Sequence, residues 1–194
     1  MAGVAHLVIL FSGTGTNLEN LIRRFHRKQV GGREIQVIPI TNRPEAGGIA
    51  RAKKYGIESI VIDHQAYESR EAFDEALVRE IVRHDPALVV MAGFMRILTP
   101  VFTSRVDAIN LHPSLLPLFK GTGAIRRSFE SGMKVGGVTV HRVTQELDSG
   151  EILAQRCVPI TPEETLESYE AKVRAAEYEL LPQTVTALLE GRRL

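Results

Sequence analysis

Ala5-His6-Leu7-Val8-Ile9-Leu10-Phe11 is an apolar run that stops abruptly at Ser12-Gly13-Thr14-Gly15-Thr16-Asn17. Leu18, Leu21, Ile22 and Phe25 then recur at three- and four-residue spacing, the period of a helix with one buried face. Strand, glycine loop and helix follow one another without a gap. That order is the opening unit of an α/β sheet.

Downstream, the pattern repeats. The pair Gly31-Gly32 separates the first helix from a second strand at 35–40. Asn42-Arg43-Pro44-Glu45 is a turn, followed by a helix near 46–55 that ends at Gly56, and 59–62 is a short third strand. Residues 69–84 read as a helix with Phe73, Leu77, Val78 and Ile81 on one face and Asp85-Pro86 as its stop. The continuous run 88–91 suits a parallel strand covered on both faces. The alternation predicts an α/β fold with a doubly wound, mostly parallel sheet through about residue 110. Beyond it, 137–143 and 152–160 read as strands with no helix between them. A long C-terminal helix is expected from about Glu163, with Thr161 as N-cap and Pro162 at its first position. Its apolar stripe is Leu166, Tyr169, Val173 and Leu180, and Pro182 is expected to kink or break it.

Composition limits the function classes. A chain of 194 residues suits one domain, large enough to hold a core without disulfides or metal. Its 24 basic and 23 acidic residues leave a net charge of +1, which argues against a general nucleic-acid binder. The single cysteine, Cys157, excludes an intramolecular disulfide and fits a reducing cytoplasm. The first apolar run is too short to span a bilayer, and it lacks the basic leader and cleavage site of a secretion signal.

Chemistry concentrates in three places. Gly13, Gly15, Thr16 and Asn17 open a helix after a strand, where unpaired N–H groups can hold a phosphate; the same loop also reads as a capped tight turn. It has neither the third glycine of a dinucleotide fingerprint nor the lysine of a P-loop. In Asn110-Leu111-His112-Pro113, alternation puts Asn110 and His112 on one side, and Pro113 keeps His112 extended. An amide donor beside an imidazole suits reactions at a carbonyl, where an oxyanion develops and a proton moves. A buried, hydrogen-bonded pair at a strand end is the plainer reading. Asp148, within Gln145-Glu146-Leu147-Asp148-Ser149-Gly150, is a turn aspartate that, placed beside His112, raises the imidazole pKa and orders water. His6, His26, His64, His84 and His141 show no metal-ligand spacing, so no metal is expected.

These segments, in this order, resemble the phosphoribosylglycinamide formyltransferases, folate-dependent enzymes of purine synthesis, over essentially the whole length. The resemblance rests on Ser12-Gly13-x-Gly15-x-Asn17, Ser69-Arg70-Glu71-Ala72, Ala92-Gly93-Phe94-Met95-Arg96-Ile97-Leu98, Asn110-x-His112-Pro113-Ser114-Leu115-Leu116-Pro117 and Glu146-Leu147-Asp148-x-Gly150. It implies a Rossmann-like formyltransferase fold, with a nucleotide-binding half over 1–110 and a folate-binding half with the C-terminal helix over 111–194. It implies Asn110, His112 and Asp148 as catalytic residues, and Gly15, Thr16, Asn17, Arg174 and Glu177 as ribonucleotide contacts. A helix salt bridge between Arg174 and Glu177 is the competing reading of that pair. The folate cleft falls on Arg70, Met95, Arg96, Ile97, Leu98, Asn110, Thr144, Gln145, Glu146, Leu147 and Asp148. The cosubstrate is 10-formyltetrahydrofolate, the acceptor is glycinamide ribonucleotide, and the protein is expected as a monomer or homodimer without nucleic acid or membrane.

Two positions depart from the family pattern. Gly123 stands where a loop histidine is usual, and Asp148-Ser149-Gly150 replaces Asp-Gly-Gly. The loop 118–134 is therefore expected to be mobile until folate binds. Rival readings are another formyl-folate formyltransferase or hydrolase, each expected to carry a further domain, a dinucleotide-dependent oxidoreductase, and a non-catalytic nucleotide-binding module. Thr41-Asn42, in place of an acidic residue closing the second strand, counts against the oxidoreductase.

Overall fold

The computed structural model describes residues 3–194. β1 (Val4–Phe11) runs through the glycine loop into α1 (Thr16–Phe25), whose buried side chains are Leu18, Leu21, Ile22 and Phe25. β2 (Lys28–Val30) and β3 (Arg33–Thr41) follow, then α2 (Gly47–Lys53), β4 (Ile60–Val61), α3 (Arg70–Arg83) and β5 (Pro86–Met91). After them come α4 (Pro100–Thr103), β6 (Ala108–His112), α5 (Ala124–Glu130), β7 (Val135–Arg142), β8 (Ile152–Pro159) and α6 (Leu166–Leu189). The strands form one sheet in the order β2-β3-β1-β5-β6-β7-β8, with β4 beside β3. β3, β1, β5 and β6 are parallel, whereas β7 and β8 are antiparallel additions.

The central strands bury both faces. Leu7, Ile9 and Phe11 pack with α1 and α6 residues such as Leu21 and Val173, while Val8 and Leu10 pack on the other side with Phe73, Leu77 and Phe102. A period of two divides one apolar run between two cores, as a doubly wound sheet requires.

The structure corrects four expectations. Gly31-Gly32 is the turn of a β2–β3 hairpin, with φ of +56° and +76°, and not a break between helix and strand. Three residues of β2 are too few to show a period.

α6 starts at Leu166, not Glu163. Thr165 Oγ1 accepts from Ser168 N–H and Ser168 Oγ accepts from Thr165 N–H, each at 3.2 Å, closing a capping box that satisfies two end donors at once. Thr161-Pro162 makes only a preceding turn, in which Glu164 N–H donates to Thr161 O.

Pro182 does not interrupt the helix, which continues to Leu189. Its missing N–H frees the carbonyl of Tyr178, four residues earlier. Asn20 Nδ2 in α1 donates to that carbonyl at 2.9 Å.

The segment 118–134 is not a loop throughout. α5 occupies Ala124–Glu130 and packs on α6, with Phe129 stacked 5.8 Å from Tyr169 and Ser128 Oγ 3.2 Å from the Tyr169 hydroxyl.

Candidate active site

β1, β5 and β6 deliver the glycine loop, residues 92–98 and Asn110–His112 to one edge of the sheet. This edge lies beyond the carboxyl ends of the parallel strands, where the chain order reverses between β1 and β5. Ser12 joins two of these segments. Its N–H donates to Gly93 O at 3.0 Å, its Oγ donates to Asn42 Oδ1, and Met95 N–H donates to that Oγ at 2.7 Å.

Asp148 arrives from the turn between β7 and β8, at a φ of +50°. Its Oδ2 lies 3.3 Å from His112 Nδ1 and accepts the Gly121 N–H at 2.8 Å, while Asn110 Nδ2 approaches Oδ1 at 3.5 Å. Asn110 and His112, two residues apart on β6, thus meet an aspartate that lies far from them in sequence. The buried His141, paired with Asn110 in the β6–β7 register, also joins them: its Nε2 is 3.1 Å from Asn110 Nδ2 and 3.5 Å from Asp148 Oδ1. Sequence reasoning missed His141, because its proximity follows from strand register and not from a motif.

His112 is 6% exposed, and its Nε2 donates to Phe119 O at 2.9 Å. Burial pushes its pKa below the ordinary imidazole value, outweighing the Phe119 carbonyl and the Asp148 carboxylate, which both favour the charged ring. The influence of Asp148 on the imidazole is upward, as the sequence reading expects, but desolvation is larger. For Asp148, burial acts against the carboxylate, yet His141, the Gly121 N–H and His112 together hold its pKa below the ordinary aspartate value. Nε2 donates to the Phe119 carbonyl and Nδ1 faces the Asp148 carboxylate, so a proton taken up at Nδ1 meets an acceptor already in place.

Beside this cluster runs a cleft lined by Met91, Arg96, Ile97, Leu98, Asn110, His141, Val143 and residues 144–148. Arg96, Ile97, Leu98, Thr144, Gln145, Glu146 and Leu147 therefore share one wall system with the Asn110–Asp148–His141 cluster. Met95 flanks it, 65% exposed. Arg96 lies over the Phe73 ring, 5.0 Å from its centroid, and its buried Nε lacks a hydrogen-bond partner among the described residues. Arg70 is the exposed first residue of α3 and is not part of this lining.

On the other side of the sheet edge, Gly15 is the N-cap of α1 at φ +73°. A Cβ there meets Gly48 Cα of α2 at 2.4 Å, so this glycine serves close helix–loop packing. Asn17 Nδ2 donates to Glu177 Oε2 at 3.0 Å, joining α1 to α6. Asn17 Oδ1 is buried and unpaired among the described residues. Burial raises the Glu177 pKa, with the Asn17 amide and the Arg174 charge only partly opposing it. Arg174 is exposed, and the ion pairs of the described residues include none between it and Glu177. The bond from Asn17 displaces the salt-bridge reading.

The formyl transferase family pattern matches residues 5–185. The chain belongs to the formyl transferase family. A formyl transferase of known structure, phosphoribosylglycinamide formyltransferase from Campylobacter jejuni, is 48% identical and superposes with a TM-score of 0.91 over 95% of this chain and 97% of that one. The Escherichia coli phosphoribosylglycinamide formyltransferase is 36% identical over 189 residues, 96% of this chain and 88% of its own length. The trifunctional purine biosynthetic protein adenosine-3 of Chironomus tentans is 38% identical over 185 residues, 94% of this chain. The chain spans only 14% of the length of that trifunctional protein. Among the described residues, no cluster of three or more His, Cys, Asp or Glu is placed to hold a metal ion, and no helix is long and apolar enough to cross a membrane.

Proposed function

We propose that this formyl transferase moves the formyl group of 10-formyltetrahydrofolate to the amine of glycinamide ribonucleotide. The convergence of Asn110, His112 and Asp148 between a phosphate-type loop and a separate cleft carries the reading. Gly15, Thr16 and Asn17 at the start of α1 suit the phosphate, aided by Arg174. Glu177 accepts from ribose hydroxyls, and the unpaired Asn17 Oδ1 accepts a ligand donor. The cleft of Arg96, Ile97, Leu98 and residues 144–148 suits the folate ring system, whose polar edge can satisfy the unpaired Arg96 Nε. Met95 and Arg70 extend this surface towards the glutamate tail. In this division the nucleotide half is 1–110 and the folate half 111–194, with Arg70 and residues 95–98 crossing to the folate side and Arg174 and Glu177 to the nucleotide side.

The amine attacks the formyl carbon, giving a tetrahedral centre with an oxyanion and an ammonium. Asn110 Nδ2 donates to the oxyanion in place of its 3.5 Å contact with Asp148. Water ordered by Asp148 relays the ammonium proton to the bare His112 Nδ1, and the resulting imidazolium is stabilised by the carboxylate beside it. That proton then reaches the departing folate nitrogen, so one C–N bond forms, one breaks, and no proton is lost. The enzyme acts in the cytoplasm as a monomer or homodimer, without nucleic acid. Formyl transfer to glycinamide ribonucleotide by purified protein tests the reading, and absence of transfer with both ligands present overturns it.

A further inference from the structure

Two turns meet over the catalytic cluster, and a contact between them has no role in the chemistry described above. Lys120 Nζ donates to Ser149 Oγ and lies 3.6 Å from Glu146 Oε1. Ser149 passes its own hydroxyl hydrogen to Leu147 O at 2.9 Å, which fixes the oxygen that receives the lysine. The neighbours of this pair are the groups that orient the carboxylate: Gly121 follows Lys120 and donates to Asp148 Oδ2, and Asp148 precedes Ser149. Arg127 of α5 holds the same turn from behind by donating to Lys120 O. Asp148 sits at φ +50°, a left-handed turn conformation that aspartate tolerates better than most residues.

We propose that Lys120 and Ser149 form a latch, positioning residues that hold the 118–123 turn onto the 144–149 turn and so keep the Gly121 N–H on Asp148 and Asp148 against His112. The Lys120–Glu146 ion pair is exposed and contributes little, because Glu146 is 80% accessible. The anchored Ser149 oxygen carries the contact. The groups facing Asp148 are His112 and Asn110 from β6, His141 from β7 and the Gly121 amide, with Arg127 of α5 beyond them.

The kinetic arm of the test rests on the proposed formyl transfer, but the structural arm does not. In Lys120→Met and in Ser149→Ala, the Asp148 carboxyl, followed by carbon NMR, should titrate at a higher pH than in the parent, because the Gly121 donor is no longer held on it. Each variant should lose about tenfold in kcat, as displaced catalytic groups do, with KM for the ribonucleotide within about twofold. The double variant should fall no further than the weaker single one, and Ser149→Thr, which keeps the hydroxyl, should retain at least about half the parental kcat. An unmoved Asp148 titration, an unchanged kcat, or multiplying losses in the double variant overturns the latch. Inactivity of the parent itself overturns the function, and the titration then still decides the latch.

Discussion

Asn20 Nδ2 lies 2.9 Å from the carbonyl of Tyr178, the acceptor that Pro182 deprives of its helical partner. A side chain from the first helix thus completes the backbone bonding of the last. Asn20→Ala should destabilise the fold by about 1–2 kcal/mol, since a partly buried carbonyl is left unpaired. In a Pro182→Ala background the same substitution should cost less than half as much, because the backbone N–H restored at position 182 can reach the Tyr178 carbonyl. Denaturant unfolding of the four variants measures the difference.

His112 should lose function and stability together. Its side chain is buried and bonded to Phe119 O, so its removal leaves a space and an unpaired carbonyl as well as a missing imidazole. His112→Ala should lower kcat by about two to three orders of magnitude and melt several degrees earlier. Asn110→Ala should lower kcat similarly. Steady-state kinetics and thermal unfolding of the two variants check both statements.

The pH profile of the parent has a definite sign. His112 has a folded-state pKa below its unfolded value, so its neutral, proton-accepting form persists below the ordinary imidazole range. The acid limb of kcat/KM should lie there, and the stability of the folded state should fall as pH drops through the same window. Asp148 favours the charged ring, so Asp148→Asn should move the remaining acid limb to still lower pH. A shift to higher pH contradicts this electrostatic account.

Glu177 exchanges stability for binding. Its pKa is raised by burial, so the folded state carries a penalty at neutral pH that disappears as pH falls through the raised value. Glu177→Gln should raise Tm by about 2 °C at neutral pH and raise KM for the ribonucleotide about tenfold. Thermal unfolding and steady-state kinetics on the same preparation read both.

Two glycines answer to the backbone before they answer to a ligand. Gly15→Ala should destabilise the protein by about 2–3 kcal/mol, from the positive φ and the collision with Gly48. Gly15→Val therefore tests folding and not phosphate binding, which Arg174→Ala probes better. Gly123 is the N-cap of α5 at φ +68°, with open space around a Cβ. Gly123→His should lower kcat/KM, because the strained N-cap outweighs any gain from a loop imidazole. An increase refutes the conformational argument.

What the sequence discloses depends on how locally each feature is encoded. β1 and α1 were legible because one apolar run and one helical period lie side by side, and Leu18 to Phe25 are buried as their spacing implies. Asn110 and His112 share a strand, so their joint placement follows from a period of two. Asp148 was legible through the family motif alone, since α5 and β7 intervene before it meets His112. His141, Lys120 and the Asn20–Tyr178 bond were not legible. Each depends on register or packing between segments that carry no common pattern. The start of α6 was misplaced for a physical reason: two threonines able to cap it, Thr161 and Thr165, lie within one turn of each other, and the reciprocal cap prevails.

The bond between Asn17 and Glu177 joins positions 160 residues apart. During synthesis the glycine loop leaves the ribosome early, yet the acidic partner that completes its pocket emerges only after nearly all of the sheet has been made. A nascent chain can therefore assemble β1, α1 and β3 while the Asn17 amide still lacks its acceptor. The pocket proposed for the ribonucleotide is complete only once α6 docks against α1.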